Sequence, residues 1–128
     1  MSTQTKPEKT SAKHDKAAVH GANEVRLLGR VTGDPTAVEL PSGDELVTFR
    51  ISIERSDARS ARRQKVDSVP CSAWSARVRR SAMTWRAGDI VEVGGAVRCR
   101  FFQTARGLGS RVEVEVASAK LIRRSPDA

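Results

Sequence analysis

Hydrophobic and polar residues alternate with a period of two along five stretches of this chain, the signature of strands that bury one face. In the first, Val25, Leu27 and Val31 alternate with Glu24, Arg26 and Arg30. Gly29 falls on the apolar side, where an interior glycine marks a bulge or a bend at a barrel corner. The second runs from Glu45 to Arg55, with Val47, Phe49, Ile51 and Ile53 inward and Thr48, Arg50, Ser52 and Glu54 outward. In the third, Asp67 to Trp74, parity sets Val69, Cys71 and Ala73 against Ser68, Pro70, Ser72 and Trp74. The fourth, Ile90 to Phe102, sets Val97, Cys99 and Phe101 against Arg98, Arg100 and Phe102. The fifth buries Val112, Val114 and Val116 and turns Arg111, Glu113 and Glu115 outward.

Between the third and fourth strands the period lengthens to that of a helix. From Arg77 to Arg86, Val78, Ala82 and Trp85 share one stripe, and Gly88-Asp89 stops the helix. That stripe suits a plug at the bottom of a barrel and assigns Trp85 to the core, as parity assigns Phe49. Turn signals stand at Gly33-Asp34-Pro35, at Pro41-Ser42-Gly43-Asp44 and at Ala105-Arg106-Gly107-Leu108-Gly109. Five short strands, with the only helix between the third and the fourth, predict an all-β chain: a five-stranded Greek-key barrel of the OB type. The barrel spans residues 23–124. Residues 1–22 are polar and weakly basic and read as a disordered arm, with His14 and His20 as solvated spectators; 125–128 form a short frayed end.

Composition adds a partner to this fold. The 128 residues carry a formal net charge of +8, and 17 of the 23 basic residues are Arg. Arginine offers both a fork for phosphate and a plane for stacking. Between the second and third strands, Arg55, Arg59, Arg62, Arg63 and Lys65 face a single acid, Asp57, with no aliphatic side chain larger than Ala. Joining two strands that pair as a hairpin, this run projects as a basic flap. On the outward faces Trp74 ends the third strand and Phe102 follows Arg98 and Arg100 on the fourth, with Arg50 on the second. Cations beside exposed rings suit a single-stranded nucleic acid, with charge along the phosphates and flat faces beneath the bases.

Other chemistries find little support. Cys71 and Cys99 both lie on apolar faces, without a CxxC spacing or a His partner, and read as reduced core thiols; no metal or cofactor is expected. Glu113 and Glu115 are the outward face of a strand and Asp67 has no paired acid nearby in sequence, so no enzyme is expected. No apolar run approaches the roughly 18 residues of a membrane span, and no signal-peptide core precedes the domain, which points to the cytoplasm.

Six segments together resemble the bacterial single-stranded DNA-binding protein (SSB) family. They are Asn23-Glu24-Val25-Arg26-Leu27-Leu28-Gly29-Arg30-Val31 with Asp34-Pro35, Phe49-Arg50-Ile51-Ser52-Ile53, and Cys71-Ser72-Ala73-Trp74. Gly88-Asp89-Ile90-Val91-Glu92-Val93-Gly94-Gly95, Arg98-Cys99-Arg100-Phe101-Phe102 and Glu113-Val114-Glu115-Val116 complete the set. The resemblance spans 23–121. It implies an OB fold, a homo-oligomer (tetramer or dimer), and single-stranded DNA wrapped by base stacking and phosphate contacts in replication, repair or recombination. It places Trp74 and Phe102 at two of the family's stacking aromatics. The chain departs from the pattern at Ser68, where the family commonly has another ring, in the long hairpin, which lacks one, and at Gly95-Ala96, where an Arg is usual. It also lacks the acidic tail ending in Pro-Phe, so recruitment of enzymes through the C-terminus is not expected and a divergent or accessory member is implied. Alternatives are a primosome-type or RNA-binding OB module, or a protein-interaction OB domain without a nucleic-acid ligand. Oligo-dT against oligo-U at one salt concentration separates the first of these, and absence of salt-dependent binding identifies the last.

Overall fold

The computed structural model describes residues 19–56 and 65–126. The elements in order are β1 (Val25–Val31), β2 (Thr36–Glu39), β3 (Glu45–Glu54), β4 (Val66–Ala73), a helix α1 (Ala76–Ala82), β5 (Ile90–Thr104) and β6 (Gly107–Arg123). The sheet runs β1-β5-β6-β4-β3-β2, and β1 also pairs with β3. Five strands thus close a ring, and β2 hangs on its rim beside β3. These five are the strands that periodicity predicts. The four residues of β2 are too few to display a period, so this strand is seen only in the pairing of Thr36 with Thr48 and Glu39 with Glu45.

Closure depends on β1 changing partners. Val25 to Arg30 pair with β5, while Arg30 and Val31 also pair with Ser52 and Ile51 of β3. Gly29 stands where the three strands meet. A Cβ there would lie 2.5 Å from both Ile51 Cγ2 and the Ser52 carbonyl oxygen, so any side chain would force the ring open. Gly29 therefore serves close approach where β1 changes partners; the register shifts are on the β5–β6 ladder, between Ile90 and Val91 and between Gly94 and Gly95.

The inward residues form one core: Val31, Val47, Phe49, Ile51, Cys71, Ala73, Val91, Val93, Val114 and Val116, closed from below by Val78, Ala82 and Trp85. Burial of each larger aliphatic side chain contributes roughly 1.5–3 kcal/mol. The helix begins where Ser75 Oγ accepts from Val78 N (3.2 Å), and it ends at Met83, earlier than Arg86. Trp85 lies beyond that end yet is only 3% exposed, its ring edge-on to Phe49 with centroids 5.3 Å apart. Its assignment to the core holds although the helix carrying it is shorter.

A carboxylate ties the helix exit to the end of the last strand. Asp89 is buried and accepts from Arg86 N (2.9 Å), Ser125 N (2.8 Å) and Arg124 Nη1 (2.9 Å). Burial alone would raise its pKa, but these bonds and the Arg124 charge hold it below the ordinary carboxylate value.

One expectation about the core is corrected. Val97, Cys99 and Phe101 share a face, as parity requires, but they are exposed, Phe101 by 69%, and Val112 opposite them is exposed as well. The pairing of β1 with β5 ends at Val25 and Gly95, and there the Asn23 amide brackets Val97, donating to its carbonyl and accepting from its N–H (both 2.8 Å). β4 still pairs with β6 as far as Val114, opposite Val97; beyond it β5 and β6 continue as a two-stranded ribbon to which no further described strand is paired. Cys99 is accordingly a surface thiol, while Cys71 remains buried.

Candidate nucleic-acid interface

The outward residues of β3, β4, β6 and β5 form one continuous surface. Arg50 pairs in register with Pro70 and Ser52 with Ser68, Ser72 with Glu115 across the parallel β4–β6 seam, and Arg98 with Glu113 and Arg100 with Arg111 on the hairpin. Cation and ring alternate over this face. The Arg100 guanidinium lies 5.5 Å from the Trp74 ring centroid, and that of Arg111 lies 5.9 Å from the Phe102 ring. Phe102 lies across Gly109 of the opposite strand, where a Cβ would meet its ring at 2.7 Å. A glycine at that position is what lets the ring lie flat against the ribbon.

Most of the cations on this face are held by carboxylates. Arg98 Nε meets Glu115 Oε1 at 2.9 Å, and Arg100 reaches Glu113 Oε2 (3.3 Å) and Glu115 Oε1 (3.4 Å). Arg111 Nε stands 3.7 Å from Glu113 Oε1. Glu113 does face outward but is only 8% exposed, because Arg100 and Arg111 cover it and Ser72 Oγ donates to its Oε2 at 2.6 Å. Partly exposed ion pairs of this kind are worth only about 0.2–1 kcal/mol, so a phosphate oxygen can replace a carboxylate as the partner. Arg50 differs: its Nε donates to Ser68 Oγ (3.0 Å), and it forms no ion pair among the described residues. That bond holds the Arg50 guanidinium beside Ser68.

Trp74 follows the last residue of β4 and is half-buried. Its carbonyl accepts from Arg79 Nη1 (2.6 Å), and its Nε1 is the one buried side-chain donor without a partner among the described residues. Below the face, burial pushes the Cys71 thiol up to about 12; the Glu113 charge adds to the rise and Arg50 opposes it. That thiol is inert.

Of the basic flap, Arg55 and Lys65 are described, and Arg59, Arg62 and Arg63 lie outside the described residues. The two ends are joined where Arg55 N donates to the Lys65 carbonyl (2.9 Å), and the Arg55 side chain pairs with Asp67 Oδ1 at 2.7 Å. Lys65 is exposed. Trp74, Phe102, Arg50, Arg98 and Arg100 therefore share the surface expected of them. Arg111 belongs with them and was not singled out from the sequence, although its parity with Glu113 and its place in the hairpin were both legible there.

A closed strand ring with its helix beneath and this outer face above defines an OB-fold binding domain. The profile of the single-strand binding protein family matches residues 22–122. The chain belongs to that family. It is 26% identical over 85 residues to single-stranded DNA-binding protein A of Bacillus subtilis, covering 66% of this chain and 49% of that protein. Against single-stranded DNA-binding protein B of the same organism it is 26% identical over 86 residues, covering 67% and 76%. For single-stranded DNA-binding protein 2 of Listeria innocua the identity is 26% over 85 residues, covering 66% and 54%. The matched region thus spans about half the length of two of these three relatives. Among solved structures, the SSB of Plasmodium falciparum in complex with ssDNA superposes with a TM-score of 0.67 at 22% identity, covering 83% of this chain and 97% of that one. The fold is therefore shared.

Proposed function

We propose that this protein binds single-stranded DNA without catalysis, protecting it in replication, repair or recombination. The observation that carries this reading is the run of alternating rings and guanidinium groups, Trp74, Arg100, Arg111 and Phe102, on one outward face. Bases stack on the rings and on the arginine planes, while phosphates draw the arginines away from Glu113 and Glu115. Double-stranded DNA offers phosphates but no open base faces, so the single strand is preferred.

The same reading includes assembly and place. Val25 to Leu28 pair with β5 on one side and with no described strand on the other, and Leu28 is 56% exposed. An open strand edge with an apolar residue supports self-association into a dimer or tetramer, which sedimentation equilibrium tests by mass. No helix among the described residues is long and apolar enough to cross a membrane, and a cytoplasmic location is part of the proposal.

The test is a mobility shift with single- and double-stranded DNA of equal length over a salt series. Neutralising about five phosphates gives a slope of about −3.5 in log K against log salt. Equal affinity for duplex, or a response flat in salt, refutes the reading.

A further inference from the structure

Phe101 and Phe102 are neighbours on β5 and therefore point to opposite faces of the ribbon. Phe102 lies on the outer face beside Arg111, whereas Phe101 lies on the reverse and is the more open of the two, 69% exposed against 43%. Phe101 meets no other ring and no guanidinium among the described residues. Its cross-strand partner is Ser110, and Gln103 and Leu108 follow on the same face toward the turn. Neither the Ser110 hydroxyl nor the Gln103 amide forms a hydrogen bond among the described residues. The charged residues of this stretch, Arg98, Arg100 and Arg111, all lie on the other face. At the turn itself Arg106 is exposed and takes part in no ion pair among the described residues. The reverse face thus offers a flat open ring with unused polar groups at its rim and a free cation at its end.

We infer that Phe101 is a second base-stacking platform, and that a single strand running past Trp74 and Phe102 rounds the hairpin turn to reach it, with Arg106 holding a phosphate at the bend. The inference rests on the proposed binding of single-stranded DNA and extends it: the ribbon is gripped on both faces, so the domain occupies more nucleotides than its outer face alone can hold. A nucleobase suits this surface because its flat face covers the ring while its polar edge reaches the Ser110 hydroxyl and the Gln103 amide. An apolar protein side chain would cover the ring and leave both polar groups without a partner. A face only two strands wide, with strands about 4.8 Å apart, also falls far short of the roughly 20–30 residues a side that a stable protein interface engages. Any of the four bases can stack there, so the platform adds length and affinity and no sequence preference.

The full chain, Phe101→Ala and Phe101→Leu are titrated at one low salt concentration with oligo-dT of about 6 and about 16 nucleotides, lengths near the two ends of the range an OB fold takes. Both variants should weaken the longer oligomer by about 5- to 150-fold and leave the shorter within about twofold. Phe101 is a surface residue, so the thermal midpoint of either variant should stay within about 4 °C of the unaltered protein. Cys99, two residues back on the same face, reports independently: the longer oligomer should slow its alkylation by N-ethylmaleimide and the shorter should not. Cys71 is buried with its thiol pushed up to about 12 and stays silent. Unchanged affinity of Phe101→Ala for the longer oligomer, an equal loss at both lengths, or Phe101→Leu binding like the unaltered protein overturns the platform. Protection of Cys99 without DNA, rising with protein concentration, gives the face to a second copy and overturns it as well. If the unaltered protein binds neither length, the proposed binding of single-stranded DNA itself fails and the platform with it, a result distinct from the others.

Discussion

Two tryptophans in one small domain should respond oppositely to truncation. Trp85 is 3% exposed and packs edge-on against Phe49 at 5.3 Å, so Trp85→Ala leaves a large cavity beneath the ring of strands. The expected loss is about 3–5 kcal/mol, and at about 4–8 °C per kcal/mol the thermal midpoint falls by more than about 12 °C. Trp74→Ala is different in kind. It removes the whole of a half-buried indole and with it the contact with Arg100, that contact being worth about 0.5–1 kcal/mol. It also removes a buried indole N–H that has no acceptor, whose desolvation costs about 1–3 kcal/mol. The two terms offset, and stability should change by no more than about 1 kcal/mol. Binding behaves the other way round. Loss of a stacked base at Trp74 costs about 1–3 kcal/mol, or about 5- to 150-fold in affinity, and removes most of the quenching of indole emission by DNA. The folded fraction of Trp85→Ala should bind and quench like the unaltered protein. Thermal melts, with oligo-dT titrations followed by fluorescence well below each midpoint, measure both quantities. A Trp74→Ala protein with unaltered affinity and quenching refutes the assignment of Trp74 to the binding face.

Glu115 holds Arg98 and Arg100 in competition with phosphate, so Glu115→Gln should tighten binding severalfold at low salt and steepen the salt slope by about 0.7; an unchanged slope shows that these arginines do not reach phosphate. Asp89 has a native pKa below its unfolded value, so its contribution to stability is present above the ordinary carboxylate range and disappears as the pH falls through the lowered native value. Urea midpoints measured between about pH 2 and 6 should therefore decline less steeply for Asp89→Asn than for the unaltered protein, although the variant is less stable at neutral pH; identical acid limbs would contradict the role given to this carboxylate.

Much of this molecule was legible in its sequence, because a strand with one buried face must alternate, and alternation is visible without coordinates. The five ring strands, the core placement of Phe49 and Trp85, and the shared outward face of Trp74, Arg50, Arg98, Arg100 and Phe102 all follow from parity and spacing. Parity, however, states only which residues share a face and not whether anything covers it. Val97, Cys99 and Phe101 satisfy the pattern of a core strand, yet they are exposed because β1 ends at the level of Gly95, β4 pairs with β6 no further than Val114, and the ribbon runs on alone from there. The converse holds for Ser72 and Glu113, which point outward and are buried, because a serine hydroxyl from β4, a guanidinium from β5 and one from β6 itself close over one carboxylate. Gly29 read as a bulge or a bend at a barrel corner, and only the third dimension shows the contact it serves there, bringing Ile51 and Ser52 against it. The sequence by itself determined the strands, their faces and the excess of arginine. The tertiary structure decided which faces find a neighbour, and hence which arginines are already paired, because cover comes from neighbouring strands that the sequence alone does not set side by side.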